Sequence, residues 1–95
     1  MKPGARIGDN HTCPQQTPVP HGGGPIRRPG APTVILEHLV GSVLGDECFC
    51  AAGMDATAQA STTVFYEGKH AVRMGDKTAH GGVVVEGASH VFVGD

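Results

Sequence analysis

The sequence predicts an all-β domain made of short hairpins with an approximate threefold repeat, and three observations carry that expectation. The 95 residues include fifteen glycines, seven prolines and only four aromatics, all Phe or Tyr. With many Val and Thr besides, this is the composition of short strands joined by tight turns rather than of helices. Shifting the chain by thirty positions lays Thr33-Val34-Ile35-Leu36-Glu37 on Thr63-Val64-Phe65-Tyr66-Glu67 and Gly45-Asp46 on Gly75-Asp76 without a gap. A repeat of that length marks a supersecondary unit, here a hairpin. Finally, the turn pair Gly-Asp is followed by soft metal donors in three places: His11 and Cys13 after Gly8-Asp9, Cys48 and Cys50 after Gly45-Asp46, and His80 after Gly75-Asp76.

The elements follow in chain order. Pro3–Asp9 is a return strand with no partner before it, and a third, shorter copy of the unit runs from Gly87 to Val93 before Gly94-Asp95. The two ends of the chain are therefore expected to complete one unit between them. In each full unit a strand follows a small-residue turn such as Pro29-Gly30-Ala31-Pro32, and a second strand follows a glycine near Gly41 or Gly68. Irregular loops are expected over 9–32, 46–61 and 76–89. The first holds Pro14, Pro18, Pro20, Pro25, Pro29 and Pro32, which fix φ, remove backbone donors and forbid a helix. Residues 51–63 alone have helical composition, and Gly53, Thr57, Thr62 and Thr63 limit the expectation there to a single turn. Residues 1–95 read as one domain, near the size at which apolar burial alone is marginal.

Charge and targeting signals narrow the function. A net charge of −2, with seven basic residues scattered along the chain, lacks the clustered positive potential of a nucleic-acid binder. No apolar run is long enough to span a membrane, so no stable insertion is expected, and the start of the chain lacks the apolar segment of a secretory signal. A cytoplasmic starting point is expected. Three cysteines cannot all pair within one chain, and a reducing compartment disfavours disulfides, so thiolates near six histidines read as metal ligands.

The set His11, His21, Cys50 and His80 is the expected ligand group. Four nitrogen and sulfur donors suit tetrahedral zinc, and a closed set of four marks a structural site. Glycines follow His21 and His80 and let the backbone pass close to an ion. Within the i, i+2 pairs the choice stays open: Cys13 is the alternative to His11, and Cys48 to Cys50. His38, His70 and His90 lie in or beside the strand copies and are read as surface residues. Asp9, Asp46, Asp76 and Asp95 each follow Gly, where a carboxylate accepts nearby backbone N–H groups, and each stands alone, without the dense oxygen shell calcium needs. Neither a zinc-protease helix motif, a nucleophile elbow nor a phosphate loop is present, and no enzyme is expected.

With these residues in view, the chain resembles the PAAR-repeat proteins over essentially its whole length. Pro3-Gly4-Ala5-Arg6-Ile7-Gly8-Asp9 is similar to the naming motif with Gly for its first Ala, and His70-Ala71-Val72-Arg73-Met74-Gly75-Asp76 is a weaker copy. Val40-Gly41-Ser42-Val43-Leu44-Gly45-Asp46 keeps little beyond Gly-Asp. The segments His11-Thr12-Cys13-Pro14, Val19-Pro20-His21-Gly22-Gly23 and Ala79-His80-Gly81-Gly82 resemble the family's loops. The resemblance implies a short pseudo-threefold cone with one structural zinc near its apex, held by three histidines and a cysteine. It also implies a base that docks, one chain per trimer, on the VgrG-type spike of a bacterial type VI secretion system. Such a tip aids envelope puncture, carries or recruits effectors, and leaves the cytoplasm on the fired spike. The alternatives are the tip of a phage or other contractile tail, which shares the fold, and a small zinc-binding adaptor, which needs an exchanging site.

Overall fold

A computed structural model describes residues 2–12, 23–50 and 54–94. Among these, the strands are β1 (Lys2–Pro3), β2 (Asn10–His11), β3 (Gly24–Arg28), β4 (Ala31–Leu36), β5 (Leu39–Gly41), β6 (Glu47–Cys48), β7 (Asp55–Ala56), β8 (Phe65–Tyr66), β9 (Lys69–His70) and β10 (Phe92–Val93). They form an elongated body of 36 × 23 × 21 Å. The domain is all-β, as the composition predicts.

Three antiparallel hairpins make the first tier: β4–β5, β8–β9 and β10–β1, the last pairing Lys2 with Val93 and Pro3 with Phe92. The ends of the chain thus build one unit together. Two of the hairpins turn through residues with positive φ, Glu37 and His38 in one and Glu67 and Gly68 in the other. That is the twist two-residue hairpins require. The first turn therefore needs no glycine, and Gly41, expected beside it, instead ends β5 and packs against Tyr66.

At the centre the three motif strands close on one another. The Ala5 amide donates to the Val72 carbonyl, Val72 to Ser42, and Ser42 back to Ala5, at 2.9, 3.0 and 3.0 Å. All three residues are fully buried. Each motif strand then enters a Gly-Asp turn in which Gly8, Gly45 or Gly75 takes a φ of 91–101°, a conformation that penalises any side chain. The carboxylates of Asp9, Asp46 and Asp76 accept the backbone N–H three residues earlier, from Arg6, Val43 and Arg73, at 2.8, 2.9 and 2.7 Å. Asp95 lies outside the described residues.

Beyond the turns the segments expected as irregular loops form a second tier of sheet. Strands β2-β3-β6-β7 are hydrogen-bonded in that order, and bridges Thr57–Thr78, Lys77–Val83 and Val84–His11 carry the ladder back to β2. A closed ladder has no edge left to pair with another chain. These strands escape sequence reading because most are two residues long, too short for an alternating pattern. Residues 54–63 contain no helix, and Asp55–Ala56 is strand β7; pairing with β6 overrides the local helical composition. The core is split accordingly. Leu36, Val43, Tyr66, Ala71, Ala88 and Val93 fill the hairpin tier, and Ala5, Ile26, Cys48, Val72 and Val84 fill the ring tier.

Carboxylates in the hairpin turns tie neighbouring units together. Glu67 accepts the amide of Thr33 at 2.8 Å and also its hydroxyl, while Glu37 accepts the amides of Ser89 and His90 and the Ser89 hydroxyl. In Glu67 the hydroxyl and amide of Thr33 lower the carboxyl below its ordinary value. In Glu37 desolvation pushes upward, but the hydrogen bonds from His90 and Ser89 outweigh it and the net shift is also downward. A depressed folded-state pKa gives stability that is present above the unfolded value of 4.5 and lost as pH falls through the folded value. Glu37→Gln and Glu67→Gln should therefore flatten the decline in urea midpoint on acidification below pH 4.5. An acid limb as steep as that of the wild type would refute the clasp.

Candidate metal centre

The ring tier gathers the chemistry. His11 ends β2, fully paired in the ladder between Gly24 of β3 and Val84. Counted from the Gly-Asp turns it stands at the register of Cys48 and Thr78, and all three are buried. Its Nδ1–H donates to the Gly24 carbonyl at 2.7 Å. That bond leaves the Nε2 lone pair pointing inward. Gly23 is indispensable to this approach, because a Cβ there would lie 2.0 Å from the His11 carbonyl oxygen.

His80 sits in the turn after Thr78, half-buried, and its amide donates to Asp55 Oδ1 at 3.0 Å. Cys50 is buried two residues beyond β6. His21 and Cys13, the remaining expected donors, lie outside the described residues. The structure thus brings His11 and His80 to one cluster around a residue absent from the expected set, Asp55. The Asp55 Oδ2 atom lies 3.3 Å from His11 Nε2 and 3.9 Å from His80 Nδ1. Both Oδ2 and Nε2 are buried without a hydrogen-bond partner among the described residues. Among the described residues no group of three or more His, Cys, Asp or Glu side chains is placed to hold a metal by itself.

The bystander residues are equally informative. Cys48 is fully enclosed in the ring core, and burial, followed by the charges of Asp55 and Asp46, pushes its thiol up to about 12. It is a small apolar filler rather than a ready thiolate. His38 and His90 are exposed as expected, whereas His70 is half-buried, with Nδ1 at 2.7 Å from the Ser61 carbonyl and its ring 4.4 Å from that of Phe65.

Three hairpins on a closed triangle, capped by a ring that carries buried ligand-type side chains, define a pseudo-threefold β-repeat domain. The family model described as PAAR motif matches residues 16–86. The chain therefore belongs to the PAAR-repeat family, whose members are structural rather than catalytic and are generally associated with VgrG spike tips. A comparison with curated proteins returned no match.

Proposed function

We propose that this chain is the metal-stapled tip of a trimeric VgrG-type spike of a type VI secretion system, one chain per trimer. The observation that carries this reading is a triplet on the hairpin tier. In each unit the strand reads inward, outward, inward: Val34-Ile35-Leu36, Val64-Phe65-Tyr66 and Val91-Phe92-Val93. The outward members Ile35, Phe65 and Phe92 are 56%, 51% and 51% exposed. Three large apolar groups at equivalent positions match a partner that repeats the same surface three times. The hairpin tier is then the base, and the ring tier with His11 is the narrow end. The protein waits in the cytoplasm, leaves on the fired spike and helps deliver effectors. Mixing the chain with the spike trimer encoded beside it and measuring the mass of the complex tests this. One chain per trimer is expected; three per trimer, or no binding, overturns it.

The staple is zinc, one per chain, held by His11, His21, Cys50 and His80. The Nε2 of buried His11 supports this reading, because among the described residues no hydrogen-bond donor meets it. Metal bound only by the folded chain adds its binding free energy to folding. Cys50→Ser should therefore lose the zinc and lower stability by several kcal/mol, on the order of a third of a small domain's total. Cys13→Ser should keep both. Zinc content and thermal melts decide, and loss of metal from Cys13→Ser with retention in Cys50→Ser would place the thiolate in the first loop.

A further inference from the structure

We propose that Asp55 is itself a donor to the stapling metal, adding a carboxylate oxygen to a set otherwise made of imidazole and thiolate. The inference rests on the metal reading above and deepens it. The two oxygens of Asp55 have different tasks. Oδ1 accepts the amides of Ala56 and His80, at 2.8 and 3.0 Å, which fixes the plane of the carboxylate. Among the described residues Oδ2 has no hydrogen-bond partner, although the side chain is wholly buried. Leaving a charged oxygen in that condition is costly unless a cation neutralises it.

The placement of Oδ2 fits a metal ion. A carboxylate that merely orients a ligating histidine takes the ring N–H remote from the metal. In His11 that position is already used by the Gly24 carbonyl, so Asp55 stands on the ligand side of the ring. Two donors sharing one zinc at about 2.0–2.2 Å lie roughly 3–4 Å apart, and beside His11, His21, Cys50 and His80 the carboxylate makes the ion five-coordinate. The 3.3 Å between Oδ2 and Nε2 fits that separation, and the 3.9 Å to His80 Nδ1 is within the span across one ion. Charge points the same way. A zinc ion with a single thiolate leaves one net positive charge in a buried site, and a carboxylate cancels it.

The repeat also leaves room for this side chain. Ile26, Thr57 and Val84 are equivalent, since their carbonyls accept the amides of Gly8, Gly45 and Gly75. Two residues earlier stand Gly24, Asp55 and Gly82. Only one of the three copies carries a side chain there, and it enters the cluster.

The test uses the whole chain loaded with zinc or, for a visible spectrum, with cobalt(II). Asp55→Asn keeps the volume and the acceptor for Ala56 and His80. It should weaken metal binding by about tenfold or more in chelator competition and shift the cobalt ligand-field bands. Unchanged affinity overturns the inference, as does weakened binding with an unchanged spectrum, which marks a positioning role. X-ray absorption on the zinc-loaded wild type, which needs no variant, should show a short carboxylate oxygen beside sulfur and imidazole. A first shell of sulfur and imidazole alone overturns it. A wild-type chain that takes up no metal overturns the metal reading itself, and so is distinguishable from a metal-loaded chain indifferent to Asp55→Asn.

Discussion

Asp76→Ala should destabilise the domain by about 3–5 kcal/mol, the cost of removing the carboxylate from a buried ion pair. The Arg73 side chain is only 7% exposed and meets Asp76, wholly buried, through Nε at 3.0 Å and Nη2 at 2.8 Å. The same carboxylate also holds the Arg73 amide at 2.7 Å. Removing it takes two charge-assisted hydrogen bonds from the buried guanidinium, whose Nη1 still donates to the Gly94 carbonyl at 3.1 Å, and opens the Gly-Asp turn. The equivalent pair Arg6–Asp9 repeats these contacts, but the Arg6 side chain is 17% exposed, so water compensates part of the loss. Asp9→Ala should therefore cost less, and urea denaturation of both variants measures the difference. A larger loss in Asp9→Ala would show that the turn, and not the buried charge, dominates.

Replacing any one of Ile35, Phe65 or Phe92 by Asp should weaken spike binding by about 2 kcal/mol or more, roughly thirtyfold, because in the proposed cap each buries a large apolar group against the spike and charge cannot follow it there. Folding should survive, since all three are about half exposed. The three losses should also be similar, as a true threefold partner offers each the same surface. Calorimetric titration of the three variants reads both points. One dominant residue with two silent ones would be incompatible with a cap seated on the axis.

Much of this fold was legible in the sequence, and the reason is repetition. The shift of thirty exposed two hairpins and their Gly-Asp turns, and the unpaired opening strand correctly implied that β1 would meet β10. The ring tier was not legible, because its strands are mostly two residues long and held in register by bridges from distant segments. The site was half legible. His11 and His80 stand in recurring contexts, and the structure brings both to Asp55. Asp55 itself gave no signal, since its counterparts Gly24 and Gly82 carry no side chain and its neighbours read as helical. Between Cys48 and Cys50 the repeat register favours Cys50, which stands five residues past its turn glycine as His80 does. Burial and the charges of Asp55 and Asp46 mark Cys48 as an inert thiol.

The closed triangle of Ala5, Ser42 and Val72 constrains how the chain can be made. Its three hydrogen bonds join the first, middle and last thirds of the sequence, so no two neighbouring segments can form it alone. On the ribosome, Ala5 must wait for Val72, and β1 must wait longer still for Phe92 and Val93. Domains dominated by such distant pairings fold late and slowly, with their strands exposed in the interval. The domain therefore closes only after Phe92 and Val93 have emerged, and until then β1 stays without its partner strand.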